Sequence, residues 1–185
     1  MARPRRELGL VKVFLAPRIL TIEQLSRKFD ASRSTILRRL DEHGCYSSYN
    51  HSGRFLTIAE VAEFDSRGLW SFKTARFSKH GHLKETIEHA VRSSKAGLNH
   101  QELAVLLSVR AHNPLLDLVE EGRVSRQRIG GRYVYLSSKA RDQKQQVKRR
   151  IALAEPCIIL VMGLVVGFIV VAMLLAILSV TDLPL

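Results

Sequence analysis

Cysteine is nearly missing from this chain, and that excludes a disulfide framework. Cys45 sits in a basic region and Cys157 opens an apolar run, so the two belong to different parts of the sequence and a reducing cytoplasmic setting fits. The chain has no phosphate-binding G-x-x-x-x-G-K loop, no G-x-S-x-G elbow and no paired-cysteine motif, so enzymatic activity is not expected and no cofactor is implied. His80, His82 and His89 are close in sequence but lack a carboxylate or cysteine at ligand spacing, so no metal is expected. A secretory leader is not expected either, because Lys12, Pro17 and Arg18 interrupt any apolar stretch behind the basic start.

Positive charge is absent from the C-terminal end. All 29 Lys and Arg residues lie at or before Arg150, against 15 of the 17 acidic residues, which leaves the first 150 residues with a surplus of fourteen positive charges. Such a surplus on a folded region suits a phosphate backbone or an anionic membrane surface.

Residues 156–181 contain no charged side chain and are dominated by Leu, Ile, Val, Met, Ala and Phe. As a helix rising ~1.5 Å per residue they would reach roughly 39 Å, more than the ~30 Å hydrocarbon core of a bilayer. A transmembrane helix is therefore expected. Lys144, Lys148, Arg149 and Arg150 crowd its N-terminal flank, so the positive-inside rule keeps the basic part in the cytoplasm, with Leu185 outside an inner membrane crossed once. Gly163 and Gly167 form a G-x-x-x-G spacing that lets two helix backbones approach, one candidate surface for a homodimer.

Around this span the residues Glu155-Pro156, Ile159-Leu160-Val161-Met162-Gly163, Val166-Gly167-Phe168-Ile169-Val170 and Ala172-Met173-Leu174-Leu175 resemble the last transmembrane helix of the F-family platform proteins of type II secretion and type IV pilus systems. The resemblance covers 149–185. It does not extend to the helical cytoplasmic bundles and further membrane helices of that family, and Leu175-Ala176-Ile177 stands where the family usually has a proline.

The part before the span repeats itself at a constant offset of 78 residues. Thr21 pairs with Asn99, Gln24 with Glu102, Leu25 with Leu103, Phe29 with Leu107, Leu37 with Leu115, Leu40 with Leu118, Gly44 with Gly122, and Gly53-Arg54-Phe55-Leu56 with Gly131-Arg132-Tyr133-Val134. Each repeat reads as helix, turn, helix, hairpin. In the first, Thr21 and Gln24 form a capping box, Ile22, Leu25 and Phe29 face inward, Ser32 caps the next helix, and Ile36, Leu37 and Leu40 line its inner side up to Gly44. A two-stranded hairpin follows over 45–58, with its tip at 50–53. In the second repeat, 82–94 reads as a leading helix, and Asn113-Pro114 predicts a late start for the second helix.

These patterns predict a mainly α fold with small β-hairpin wings, a tandem winged helix-turn-helix followed by one C-terminal transmembrane helix. The expected divisions are a first unit over 1–58, a connector over 59–81 that is extended around Trp70, Phe72 and Phe77, a second unit over 82–137, a basic linker over 138–155 and the span over 156–181. The run from Ile129 to Ser137, with Leu118 to Arg123 before it, resembles wings of winged-helix proteins found as transcriptional regulators and beside mobile-element genes.

Under that reading, duplex DNA would meet Arg33, Ser34, Thr35, Arg38 and Arg39 on the second helix of the first unit, and Arg54 on its hairpin. Short hydroxyls approach base edges, and arginines reach guanine or phosphate. In the second unit Asp117, Glu120 and Glu121 would repel phosphate from the helix, which leaves contact to Arg126, Arg128 and Arg132 on the hairpin; Arg123 adds a further cation. Arg3, Arg5 and Arg6 offer either a minor-groove arm or a basic tail. Two functions stay open: a membrane-tethered DNA-binding protein, dimerising through the second unit or the glycine pair, and an F-family membrane component or fusion with no role on DNA.

Overall fold

The computed structural model describes the backbone of residues 4–181, with side chains over 9–153 and 159–177. The expected arm residue Arg3 lies outside the described residues, as do 182–185, which hold Asp182 and Leu185; the side chains of Arg5, Arg6, Glu155, Pro156 and Cys157 do too.

Helix α1 (Pro4–Leu15) leads into the short strand β1 (Leu20–Thr21), helix α2 (Ile22–Phe29) and helix α3 (Arg33–Asp41). The start of α2 is fixed by a reciprocal cap. Thr21 Oγ1 accepts from the Gln24 N–H at 3.3 Å, and the Thr21 N–H donates to Gln24 Oε1 at 2.9 Å. Such a cap stabilises a helix by about 1 kcal/mol. Asp30 turns the chain in the left-handed region at φ 45°, and Ser32 then caps α3 by accepting from the Thr35 N–H. Strands β2 (Cys45–Ser47) and β3 (Phe55–Ile58) complete an antiparallel sheet in the order β1-β3-β2, with Cys45 opposite Ile58 and Leu20 opposite Leu56. Its core joins Leu10 and Phe14 of α1 to Leu25, Ile36, Leu40 and Ile58.

The connector is a hairpin of β4 (Leu69–Phe72) and β5 (Ala75–Ser78), built on Trp70, whose ring lies 5.1 Å from that of Phe77 and 5.7 Å from that of Phe72. The second unit then repeats the first: α4 (Leu83–Ser93), β6 (Leu98–Asn99), α5 (His100–Leu107), α6 (His112–Glu120), β7 (Val124–Ile129) and β8 (Arg132–Ser137). Its sheet order β6-β8-β7 reproduces that of the first unit. The capping box recurs, with Asn99 and Glu102 in the places of Thr21 and Gln24. Ile87, Val91, Leu103, Leu107, Leu115 and Leu118 are fully buried.

Tyr49 joins the two units. It belongs to the first by sequence, yet its ring is buried in the second core and its hydroxyl donates to the Leu107 carbonyl at 2.9 Å, at the C-terminal end of α5. Burial pushes this phenol up to about 12. Finally α7 (Ala140–Thr181) runs as one helix of 42 residues, ~63 Å at the standard rise.

The structure departs from the sequence reading at four places. Helix α1 was not anticipated, although Leu10, Val11 and Phe14 fall at helical spacing and close the first core. Leu37 is 37 % exposed; the inward positions of α3 are Ile36 and Leu40. Helix α6 starts at His112 rather than after Asn113, and Pro114 occupies its first turn, where the backbone N–H has no intrahelical partner and a proline removes no bond. The stretch 138–155, expected as a linker, is helical from Ala140 onward.

Candidate functional site

On α3, Arg33, Ser34 and Arg38 are exposed while Thr35 and Arg39 are half-buried; Arg54, just before β3, is exposed. The Glu23 carboxyl is held below its usual range first by the Thr21 hydroxyl, then by its own backbone N–H, and also by the charges of Arg54 and Arg33. Arg33, on α3, and Arg54, beside β3, thus both contribute to the field at this one carboxylate. Ser34 and Thr35 are less free than expected. Each hydroxyl lies 3.0 Å from Ser32 Oγ, within the N-cap. The tip of the first hairpin is occupied too: Asn50 Nδ2 donates to the Thr74 carbonyl at 2.7 Å, Asn50 Oδ1 accepts from the Arg76 N–H at 2.9 Å, and His51 Nε2 donates to the same Thr74 carbonyl at 3.1 Å. That hairpin is a bridge to β4 and β5.

In the second unit two of the three acids at α6, Asp117 and Glu121, are internally paired, while Glu120 is exposed and forms no ion pair among the described residues. Lys84 of α4 meets Asp117 at 2.9 Å and Glu121 at 2.7 Å. Arg123 is held by Glu88 at 2.5 Å and Glu121 at 3.2 Å, so it is a structural cation tying β7 to α4. The Glu121 carboxyl is lowered by its hydrogen bonds from Lys84 and then Arg123. Sequence reading missed these pairs because Lys84 and Glu88 lie some 35 positions from their partners. Arg126, Arg128 and Arg132 are exposed and form no ion pair among the described residues. Arg126 lies over the Tyr133 ring at 4.8 Å, and Arg128 Nε donates to the Gly131 carbonyl at 3.4 Å. Pairing of Arg128 with Tyr133 and of Ile129 with Arg132 puts Arg126 and Arg128 on one face of the hairpin and Arg132 on the other.

The most developed polar site fastens α7 to the second unit. Gln146 is 3 % exposed. Its Oε1 accepts from the Ser137 N–H at 2.8 Å, and its Nε2 donates to the Val91 and Ser94 carbonyls, both at 2.9 Å, so one side chain satisfies the end of β8 and the end of α4. Gln143 donates to Ser125 Oγ at 2.9 Å. One turn further on, Arg150 grips both oxygens of Glu102 at 2.9 and 3.1 Å, while Glu102 also closes the cap of α5. Burial pushes the Glu102 carboxyl up, but the Arg150 hydrogen bond, the Asn99 backbone and the charges of Arg150 and Arg132 together hold it below its usual range.

Gln146→Ala should cost roughly 1–3 kcal/mol, since it strands buried backbone groups without giving them water. Hydrogen exchange at the Ser137 amide checks this directly, and unchanged protection there would remove Gln146 from the clamp.

Past this clamp, residues 159–177 carry no charge, have a mean hydropathy of 3.0 and bury nothing against the rest of the chain. They form the one stretch among the described residues long and apolar enough to cross a membrane. Residues 135–176 match the family model of the type II secretion system (T2SS), protein F. The match begins at Tyr135 in β8, so it takes in the docked turns of α7 as well as the apolar ones. No curated protein and no solved structure matches the chain. The C-terminal segment is thus F-like, while residues 1–134 lie outside the match. Cys45 lies at the junction of α3 and β2, where burial, and then the charge of Asp41, push its thiol up to about 11, the condition of a packed side chain rather than a nucleophile.

Proposed function

We propose that the chain is a single-span inner-membrane component of the type II secretion F kind, with no enzymatic step and no role on DNA, whose folded N-terminal part stays on the cytoplasmic side. The observation that carries this is the coincidence of the F-family match over 135–176 with the uncharged, unburied helix over 159–177. Lys144, Lys148, Arg149 and Arg150 supply the orientation through the positive-inside rule. Gly163 and Gly167 face open space, which leaves room for the backbone of a second helix. Protease protection in spheroplasts tests the arrangement: a C-terminal tag should be cleaved from outside while an N-terminal tag survives. Cleavage of the N-terminal tag alone would reverse the orientation, and recovery of the full chain in the soluble fraction would end the reading.

A second reading, duplex DNA binding, is favoured by a separate observation. Both units follow the order helix, strand, helix, helix, strand, strand with the sheet order first, third, second, which supports a winged-helix reading. Exposed Arg33 and Arg38 on α3, and Arg126, Arg128 and Arg132 on the second hairpin, would supply the cations. If about six phosphates are covered, affinity for duplex DNA should fall with salt at a log-log slope near −5. Arg38→Ala with Arg39→Ala should relax sequence preference, whereas Arg126→Ala with Arg128→Ala should weaken all sequences alike. A flat salt response removes this reading.

A further inference from the structure

A groove of about 710 Å³ opens on the second unit between α4 and α5, closed at one end by the loop before β4 and by His80. It lies within the size range of small-molecule sites, roughly 300–1,000 Å³, and like them it exposes mainly apolar surface, with polar side chains set among the apolar ones. Leu69, Ala90, Leu98, Val105 and Leu106 supply the apolar lining. Val105 is 80 % exposed there, so its side chain offers apolar surface to the groove.

The polar groups at the rim are not balanced in charge. Glu102 is the one carboxylate among the lining residues, and both of its oxygens are taken by Arg150. The Arg67 guanidinium, by contrast, has no ion pair or hydrogen bond among the described residues; only its backbone is engaged, its N–H donating to Asp65 and its carbonyl accepting from His80 Nε2 at 3.0 Å. The His80 ring stacks flat on that of His89, with centroids 3.5 Å apart and planes within 13°. The result is an apolar trough with an exposed cation that no described residue pairs, and a flat imidazole pair along one side.

We propose that this groove binds a small amphipathic organic anion, a flat apolar body carrying one carboxylate, with the body on Val105 and Leu106 and the carboxylate on Arg67. Charge complementarity selects the class: an uncharged ligand of the same shape leaves Arg67 unpaired, and a cation meets Arg67. Guanidinium to carboxylate is the geometry in which two parallel hydrogen bonds form. The groove also touches Ser94 and Glu102, two of the residues through which Gln146 and Arg150 hold α7.

The test uses the full chain in nanodiscs of zwitterionic lipid, with empty discs as the blank, and two probes of one shape: 1-naphthoate and its uncharged amide. Calorimetry should show saturable, one-site binding of the naphthoate, at least tenfold tighter than of the amide, with the ring resonances of His80 and His89 shifting in step. Arg67→Gln, an exposed change outside the core, should cut naphthoate affinity at least tenfold and leave the amide unchanged. Val105→Glu, equally exposed, should weaken naphthoate by placing a second anion in the groove. Absence of saturable naphthoate binding overturns the proposal, and so does equal affinity for the two probes or an Arg67→Gln variant that binds naphthoate as well as the parent.

Discussion

Replacing Val165 and Ile169 together with arginine should eject α7 from the membrane, so that the chain no longer pellets after alkaline carbonate extraction. The thirteen Leu, Ile, Val and Phe residues of 159–177 favour insertion by about 0.3–0.6 kcal/mol each, some 4–8 kcal/mol in all. Each arginine near the helix centre opposes it by about 2.5–3.5 kcal/mol, so the pair cancels most or all of that gain. Val165 and Ile169 are 46 % and 47 % exposed and touch no core, so the folded part should keep its melting behaviour. The substitution therefore discriminates sharply. If α7 lies in a bilayer, membrane recovery collapses; if it does not, two arginines on an exposed helix merely raise solubility. Val165→Leu with Ile169→Leu keeps the apolar surface and should extract as the parent does.

Much of the fold was legible because its signals are local. Thr21 with Gln24 and Asn99 with Glu102 are each three residues apart, so two helix starts were readable directly, and their constant spacing exposed the duplication. The glycine and asparagine turns and the uncharged run beyond Arg150 are local in the same sense. What escaped depends on contacts between distant segments. Residues 138–155 look like a linker because their composition is polar, and only the pockets offered to Gln146 by Val91, Ser94 and Ser137 show that one of those polar residues is buried. Leu37 and Ile36 are adjacent and equally apolar, and which one turns inward is set by where α1 and β3 lie. Asp117 and Glu121 looked repulsive to a polyanion until Lys84 was found beside them. The groove could not be read at all, since Arg67, His80, His89 and Val105 meet only after the connector folds back on α4 and α5.

Gly97, just before β6, should be the least replaceable glycine of the second unit, and Gly122 supplies its control. Both hold a left-handed backbone, at φ +67° and +69°, so an alanine at either costs about 1–2 kcal/mol for conformation alone. Their surroundings differ. A Cβ on Gly97 would lie 2.5 Å from Leu136 Cδ2, 2.7 Å from the Tyr135 carbonyl oxygen and 2.9 Å from Val134 Cγ1, whereas one on Gly122 meets nothing within 4 Å. The Tyr135 oxygen belongs to β8 opposite Leu98, so it gives way only if the β6–β8 pairing opens. Forced contacts of this kind add typically 1–3 kcal/mol, which puts Gly97→Ala at roughly 2–5 kcal/mol in total and Gly122→Ala near the conformational cost. Hydrogen exchange at Leu103 and Leu118, buried in the same core, reads the difference in the membrane-bound full chain. Because β8 also presents Ser137 to Gln146, Gly97→Ala should lower protection at Ser137 in step, while carbonate extraction stays unchanged. Equal losses for the two alanines would mean that the close approach at Gly97 relaxes freely and that β6 is not wedged against β8.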